Sequence, residues 1–208
     1  MTRIKVKICG LTRPEDAALL AEAGADLAGI VLVPASPRFP GERAAEVAAA
    51  VPPGVQRVGV FVDEDPDRVR SMIRELSLDL LQFHGRETPE YCRRFGLPYF
   101  KAFRVRRTLT AEDLRDYRPQ AFLLDAYVPG AAGGTGRTFD WELARRIADE
   151  GYRVLLAGGL TPENVASAIE KVGPWGVDVS SGVEVSPGIK DRDKIARFAA
   201  AARKTAGG

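Results

Sequence analysis

Two residues at the ends of short apolar runs carry side chains suited to proton transfer. Cys9 ends IKVKIC and is one of only two cysteines in the chain. A thiolate there can remove a proton from carbon or act as a nucleophile. Asp125 ends AFLLD, where burial would raise its pKa and suit it to general acid catalysis. Each also has an ordinary interpretation, as an inert buried cysteine and as an aspartate in an ion pair or loop cap.

Two turns rich in glycine and serine could hold a phosphate. Gly158 and Gly159 follow the run RVLLA, and Ser180, Ser181 and Gly182 follow GVDV. Backbone N–H groups and hydroxyls in such turns bind phosphate oxygens, and glycine lets the backbone approach a ligand closely. Two ordinary tight turns are the alternative, but the presence of both favours phosphate.

Arg38 and His84 complete the set of candidate polar residues. Arg38 lies in SPRFP, between two prolines that stiffen the segment. A guanidinium held in this way can grip a carboxylate or a phosphate through two parallel hydrogen bonds. A surface ion pair with Glu42 agrees equally well with the sequence. His84 shares a strand face with Gln82 and could line a site, although a lone histidine is more often structural.

Eight short runs rich in β-branched and aliphatic residues must position these side chains. The runs are IKVKIC, DLAGIVLV, QRVGVFV, LDLLQFHG, YFKAFRV, AFLLDA, RVLLAGG and GVDVSSG. Helical patterns separate most of them, with start signals at Thr12, Asp65, Thr88 and Thr161, a start near Asp140, and a last helix DRDKIARFAAAARK. Alternation predicts parallel strands, and eight repeats favour an α/β fold, a closed (βα)8 TIM barrel, over an open sheet.

The barrel also makes a prediction about Lys7. Functional side chains of such barrels lie at the carboxyl ends of the strands, and alternation puts Lys7 on the face of Cys9. Strands one and eight are neighbours in a closed barrel, and Asp178 shares a face with Ser180 on strand eight. A buried lysine needs a partner, so we predict that Lys7 points inward and pairs with Asp178.

Composition excludes several classes of function. A chain of 208 residues, 45% hydrophobic and 28% charged, suits one domain spanning 1–208. The net charge of +2 and scattered basic residues give no reason to expect nucleic acid or a membrane surface as a partner. We see no transmembrane stretch or signal peptide. Two cysteines and one histidine without metal-ligand spacing predict a reduced, cytoplasmic protein with no metal.

The motifs together resemble the phosphoribosylanthranilate isomerase family. The matching stretches run in order along the chain: KICGLT (7–12), SPR (36–38), VGVFV (58–62), LQFHG (81–85), LLD (123–125), GGTGRTFDW (133–141), LAGGLTPENV (156–165) and VDVSSGVE (177–184). KICGLT and DVSSGVE with the later GIKD are quite specific, whereas the GGL turn is shared by other phosphate-binding barrels. Phe83 stands where an aliphatic residue is expected, and we expect it to face the helices.

The resemblance implies an Amadori rearrangement of N-(5′-phosphoribosyl)anthranilate in tryptophan biosynthesis, with no metal or organic cofactor. Asp125 would protonate the furanose ring oxygen, so that the ring opens to a Schiff base. Cys9, as thiolate, would remove the proton from C2′, and the enolamine would tautomerise to the ketone. Arg38 would hold the anthranilate carboxylate. The phosphate would be surrounded by Gly158, Gly159, Ser180, Ser181 and Gly182, with Asp178 and His84 as neighbours of the site.

Two other functions stay open at this point. A Schiff-base lyase or synthase on the same barrel would use Lys7 or Lys101. A non-catalytic module that binds a phosphorylated small molecule would not need Cys9 and Asp125, whose joint presence argues against it. The glycine-rich segment 128–139 is either a flexible loop or a mobile lid beside the site. The sequence leaves both a monomer and a homodimer open.

Overall fold

A computed structural model describes residues 3–104, 109–125 and 141–204. Eight parallel strands form a closed barrel, in which each strand pairs with the next along the chain and the eighth pairs with the first. The strands are β1 (Lys5–Cys9), β2 (Leu27–Val31), β3 (Gln56–Phe61), β4 (Leu80–Phe83), β5 (Tyr99–Arg104), β6 (Ala121–Asp125), β7 (Val154–Ala157) and β8 (Gly176–Val179). Each lies within one of the eight apolar runs, so the TIM-barrel prediction is confirmed.

A helix follows each strand. The helices are α1 (Pro14–Ala18), α2 (Ala44–Ala49), α3 (Pro66–Glu75), α4 (Pro89–Arg93), α5 (Ala111–Leu114), α6 (Trp141–Asp149), α7 (Val165–Val172) and α8 (Arg192–Lys204). None of these described helices is long and apolar enough to cross a membrane. The predicted start of α6 at Asp140 and the glycine-rich segment 128–139 lie outside the described residues. The prediction of one domain over 1–208 stays a prediction.

Two of the predicted helix starts are confirmed. The Asp65 carboxylate accepts a hydrogen bond from the backbone N–H of Asp67 at 2.8 Å, and α3 begins at the next residue, Pro66. The Thr88 hydroxyl accepts one from Tyr91 N–H at 3.2 Å ahead of α4. In both cases the side chain satisfies a donor that the first helical turn leaves without a partner.

The starts predicted at Thr12 and Thr161 are wrong. Arg13 directly precedes α1, while the Thr12 hydroxyl donates to the Gly188 carbonyl oxygen at 2.6 Å. Helix α7 begins only at Val165, because residues 161–164 first form a turn. Thr161 N–H donates to Asn164 Oδ1 at 2.8 Å, and the Thr161 hydroxyl accepts from Glu163 N–H at 3.2 Å, ahead of the helix. Both threonines have partners that lie in loops at the carboxyl end of the barrel.

A short antiparallel hairpin, β9 (Glu184–Ser186) and β10 (Ile189–Lys190), follows β8. No strand is predicted from the sequence in this segment. In its register Lys190 lies opposite Glu184, and Ile189 opposite Ser186. The hairpin is fastened to the first βα unit by the Thr12–Gly188 hydrogen bond and by Lys190 N–H, which donates to Asp16 Oδ2 at 3.1 Å.

Apolar side chains fill two layers, one inside the barrel and one between the strands and the helices. The interior layer consists of Leu27, Val58, Leu80, Phe100, Ala102, Ala121, Leu123, Leu155 and Ala157. Phe83 belongs to the outer layer, where its ring packs against those of Tyr91, Phe95 and Tyr99. This is the orientation expected from the sequence.

Candidate active site

Cys9 ends β1 on the inward face and is only 7% exposed. Its pair partner on β2 is Gly29, where a Cβ would lie 2.8 Å from the Cys9 Sγ and 3.0 Å from the Lys7 Nζ. Glycine at this position therefore makes room for both side chains. Burial raises the pKa of the Cys9 thiol and Asp178 adds to the effect, whereas the nearby Lys7 ammonium lowers it without cancelling the rise. Without ligand, Cys9 is accordingly a thiol at neutral pH.

Lys7 and Asp178 form an ion pair inside the barrel. The Lys7 Nζ donates to Asp178 Oδ1 at 2.8 Å, and the Lys7 side chain is fully buried. The two residues are register partners across the β1–β8 junction, as predicted. Burial lowers the pKa of Lys7, but the Asp178 carboxylate and Cys9 outweigh it and leave the pKa raised. A permanent positive charge thus lies beside the Cys9 thiol.

Asp125 ends β6 on the same rim of the barrel, and β7 lies between β6 and β8. Its Oδ2 lies 3.6 Å from His84 Nε2, and the other ring nitrogen of His84 lies 3.2 Å from Gln82 Nε2. With the Gln82 amide nitrogen toward Nδ1, the neutral imidazole carries its hydrogen on Nε2, facing Asp125. His84 therefore lies beside the candidate acid rather than in the apolar core.

Arg38 pairs with Glu184 of the hairpin and not with Glu42, so the surface pairing considered from the sequence is wrong. Its Nε donates to Glu184 Oε1 at 2.8 Å and its Nη2 to Oε2 at 2.6 Å. The stem of Arg38 passes over Gly10, where a Cβ would lie 2.5 Å from the Arg38 Cδ. The absence of a side chain at Gly10, which also has φ +78°, lets the arginine lie next to the end of β1.

Lys190 binds to three parts of the rim at once. Its Nζ donates to the Cys9 carbonyl oxygen at 2.5 Å, to Glu184 Oε1 at 2.7 Å and to the Ser180 carbonyl oxygen at 3.4 Å. We call Arg38, Glu184 and Lys190 the charge triad. Burial raises the pKa of Glu184, but hydrogen bonds from Arg38 and Lys190 outweigh it and hold the pKa below its ordinary value. Glu184 is therefore ionised. Burial lowers the pKa of Lys190, and the hydrogen bond to Glu184 only partly offsets this effect, but the three acceptors around its Nζ match the three N–H donors of an ammonium.

The two candidate phosphate turns lie against each other. Gly158 and Gly159 have φ of +92° and +64°, values that favour glycine. A Cβ at Gly182 would collide with the Leu160 carbonyl oxygen. The Ser180 Oγ is buried and has no hydrogen-bond partner among the residues that the structure describes, whereas Ser181 is exposed. A hydroxyl in this state is suited to a ligand oxygen.

Asn164 holds the first of these turns in shape. Its Nδ2 donates to the Gly159 carbonyl oxygen at 2.9 Å, while its Oδ1 accepts from Thr161 N–H. Sequence patterns did not identify Asn164, Glu184 and Lys190 as part of the site. All three lie in the motifs LTPENV, SGVE and GIKD, but nothing in those letters identifies which atoms each side chain reaches.

The lysines required by the Schiff-base alternative are both ion-paired. Lys101 alternates with Phe100 and Ala102 of the interior layer and so faces outward from β5. There its Nζ donates to Glu87 Oε2 and to the Gly85 carbonyl oxygen, both at 2.8 Å. Lys7 faces inward but is protonated and bound to Asp178. Lys101 therefore points away from the barrel interior, and Lys7 is not the neutral amine that Schiff-base formation needs.

Among residues 3–104, 109–125 and 141–204, no group of three or more His, Cys, Asp or Glu side chains is placed to hold a metal ion. The candidate site is instead a thiol next to an ammonium on one side of the rim and a carboxyl next to an imidazole on another. Such a pair can give a proton at one point of a ligand and take one at another.

Comparisons with known proteins agree over nearly the full chain. A family model described as N-(5′-phosphoribosyl)anthranilate (PRA) isomerase matches residues 6–201. A curated relative from Trichlorobacter lovleyi, named N-(5′-phosphoribosyl)anthranilate isomerase, is 53% identical over 197 residues, which cover 94% of this chain and 96% of the relative.

Solved structures extend the agreement to three dimensions. Phosphoribosyl anthranilate isomerase from Thermotoga maritima superposes with a TM-score of 0.88 at 43% identity, covering 97% of this chain and 99% of that one. A crystal structure of a phosphoribosyl anthranilate isomerase in complex with reduced 1-(o-carboxyphenylamino)-1-deoxyribulose 5-phosphate superposes with a TM-score of 0.85 at 41% identity and the same coverage.

Proposed function

Because the chain belongs to the N-(5′-phosphoribosyl)anthranilate isomerase family, we propose that Cys9 and Asp125 are the base and the acid of its reaction. The chain is an isomerase of tryptophan biosynthesis. It converts N-(5′-phosphoribosyl)anthranilate to 1-(2-carboxyphenylamino)-1-deoxyribulose 5-phosphate, an aldose–ketose isomerisation. The observation that carries the assignment of roles is the placement of a buried thiol and a carboxyl on different strands of one rim.

Asp125 acts first, as the general acid. It gives its proton to the ring oxygen of the phosphoribosyl group as the C1′–O bond breaks, and the anilino nitrogen supplies the electron pair that forms the C1′=N bond. His84, whose Nε2 lies 3.6 Å from the Asp125 carboxyl, turns its N–H toward the carboxylate that remains once the proton has left. The product of this step is a cationic Schiff base within the substrate, so no bond to the enzyme forms.

Cys9 acts second, as the general base. Its thiolate takes the proton from C2′, whose acidity is raised by the neighbouring cationic C=N bond, and the electrons move into a C1′=C2′ bond. The Cys9 thiol first loses its proton to water, and the Lys7 ammonium beside Sγ stabilises the thiolate that must be present at the start of this step. The resulting enolamine gains a proton at C1′ and loses one from the C2′ hydroxyl, which completes the ketone.

The remaining candidates hold the two anionic ends of this phosphorylated small molecule. Arg38 binds the anthranilate carboxylate. The phosphate lies between the two turns, in contact with the backbone of Gly158, Gly159, Ser181 and Gly182 and with the Ser180 hydroxyl. Asp178 contributes through Lys7, with which it is paired. All the groups named in the two steps belong to one chain, so we propose that the activity needs no second subunit, whether the chain is a monomer or a homodimer.

Both proton transfers are made by side chains, and we propose that the reaction uses no cofactor. We propose a cytoplasmic location, where the two free cysteines remain reduced. The proposed location does not depend on the roles of Cys9 and Asp125.

Loss of the fluorescence of phosphoribosylanthranilate, generated in the cuvette because it is labile, tests the roles directly. We expect the wild type to consume it rapidly. Cys9→Ala and Asp125→Ala should each lower kcat by at least about 100-fold, since general acid–base groups contribute typically 10²–10⁴-fold. Thermal unfolding of the same samples checks that the variants are folded.

Cys92→Ala is the matched control for the thiol. Cys92 is fully buried in α4, away from the rim, and this variant should keep the wild-type kcat. A folded Cys9→Ala enzyme with wild-type kcat would refute the assignment of the base, and a folded Asp125→Ala enzyme with wild-type kcat that of the acid. Trapping of the substrate on a lysine by borohydride would instead support the Schiff-base alternative.

A further inference from the structure

We infer that Glu184 and Lys190 are positioning residues that fix which edge of the Arg38 guanidinium faces the carboxylate of the substrate. The inference rests on the proposed function, because it takes Arg38 as the group that binds this carboxylate. It assigns roles to two buried, charged residues of the hairpin that take no part in either proton transfer.

Within the part of the chain that the structure describes, the hydrogen bonds of Arg38 leave one edge of its guanidinium free. A guanidinium has five N–H donors in a rigid plane. Glu184 takes the edge formed by Nε and one hydrogen of Nη2, with distances of 2.8 and 2.6 Å. The other two-donor edge, formed by Nη1 and the second hydrogen of Nη2, matches a second carboxylate in the same plane. Glu184 therefore orients Arg38 so that this edge is presented to a ligand.

The charge of the triad decides whether a second carboxylate is attracted. Arg38 and Glu184 alone sum to zero, and Glu184 would repel an anion on the far side of the guanidinium. Lys190, 2.7 Å from Glu184 Oε1, brings the sum to +1. Since the Glu184 side chain is 4% exposed and that of Lys190 is fully buried, water screens these charges poorly. Because Lys190 adds a positive charge, the Glu184 carboxylate can hold Arg38 in place while the triad still attracts the carboxylate of the substrate.

The hairpin keeps both groups in place. Lys190 N–H donates to Asp16 Oδ2, and Asp16 is itself held by the Arg13 guanidinium at 2.6 and 3.0 Å. Gly188 N–H donates to Glu184 Oε1 at 3.3 Å. Arg38 is consequently oriented by a buried network that extends into the first βα unit, rather than by a mobile surface partner.

Lys190 also connects this network to the base. Its donation to the carbonyl oxygens of Cys9 and Ser180 fixes the ends of β1 and β8 relative to Glu184. The loss of Lys190 should therefore affect both carboxylate binding and proton abstraction, whereas the loss of Glu184 should affect carboxylate binding alone.

Glu184→Gln tests the inference. We expect KM for phosphoribosylanthranilate to rise about 10-fold, the scale of one charge-assisted hydrogen bond, while kcat stays within about 3-fold of the wild type. Calorimetric titration with two probes separates binding of the carboxylate from binding of the rest of the ligand. The probes are reduced 1-(o-carboxyphenylamino)-1-deoxyribulose 5-phosphate and its phenylamino counterpart without the carboxylate. The variant should bind the first about 10-fold more weakly and the second as the wild type does.

Glu87→Gln is the matched control, because Glu87 is another buried carboxylate paired with a lysine at 2.8 Å, on the outer side of β5. It should lower the melting temperature and leave the ratio of the two affinities unchanged. Glu184→Asp serves if the Gln variant does not fold. It retains the charge, but its side chain is one methylene shorter and cannot reach both nitrogens of Arg38, so it should show the same selective loss.

The inference would be overturned if a folded Glu184 variant kept the wild-type ratio of the affinities for the two probes, whether neither affinity fell or both fell by the same factor. Lack of turnover by the wild type would instead overturn the proposed function, so the two failures are distinguishable. In an Arg38→Met background, Glu184→Gln should cause no further loss of discrimination between the probes. An additional loss there would show that Glu184 acts on the carboxylate by another route.

Discussion

At the scale of single residues, the protonation of Cys9 is set by opposed effects. Burial and the Asp178 carboxylate favour the thiol, while the Lys7 ammonium favours the thiolate, and the net effect is a raised pKa. A base that is protonated at rest is protected from alkylation and oxidation. Formation of the cationic Schiff base close to Sγ favours the thiolate at the moment when it is needed.

The raised pKa predicts how Cys9 reacts with iodoacetamide. Because only the thiolate reacts, we expect alkylation of the free enzyme to be slow at pH 7 and to accelerate about 10-fold per pH unit up to about pH 9. Peptide mass spectrometry measures the rate at Cys9 separately from that at Cys92, whose pKa burial raises to about 12. Lys7→Met should slow the reaction further at every pH. A rate that is already at its plateau at pH 7 would contradict this account.

At the scale of elements, the turn after β8 depends on close contact with the turn after β7. Gly182 has no space for a Cβ, because the Leu160 carbonyl oxygen occupies that position. The two turns approach each other only as long as residue 182 is glycine. The phosphate site proposed between them therefore depends on this one backbone contact.

Gly182→Ala should force the turns apart. We expect at least a 10-fold rise in KM for phosphoribosylanthranilate, since several backbone donors to the phosphate move together. Calorimetric titration with inorganic phosphate should show the same weakening. Gly151→Ala is a useful comparison, because this glycine has positive φ but open space around its Cβ position. It should lower stability without altering phosphate affinity, and equal effects of the two variants on phosphate affinity would contradict the prediction.

Elements of the barrel were predictable from the sequence to the extent that their signals are local. Strand β6, for example, is an apolar run, and Asp65 and Thr88 cap their helices through bonds two or three residues away. Thr12 failed as a start signal because its hydroxyl bonds to Gly188, a residue 176 positions away. Glu184 and Lys190 were missed for the same reason: their partners, Arg38 and Cys9, are distant in sequence and meet them only when the barrel closes.

At the scale of the whole molecule, the ion pair of Lys7 and Asp178 joins the first strand to the last. Removal of one partner leaves the other charge buried, which costs about 3–5 kcal/mol. We expect Lys7→Met to lower the free energy of unfolding in urea by this amount at neutral pH. A wild-type unfolding free energy in this variant would show that the pair does not support barrel closure.

The double variant Lys7→Met/Asp178→Leu separates stability from catalysis. Replacement of a buried ion pair by apolar side chains of similar size is often neutral or stabilising, so we expect most of the lost stability to return. The isomerase activity should not return with it, because the thiolate of Cys9 still lacks its neighbouring ammonium. Recovery of kcat together with stability would mean that the pair has only a structural role.

The distance along the chain between the two sides of this junction also bears on how the enzyme is made. Asp178 lies 171 residues after Lys7, and Lys190 lies 181 after Cys9. A ribosome adds about 5–20 residues per second, so the thiol leaves the exit tunnel roughly 9 to 36 s before the groups that enclose it. Among the site residues Cys9 is thus the first to be synthesised and among the last to be buried, and the nascent chain carries an exposed sulfhydryl until Asp178 and Lys190 have emerged.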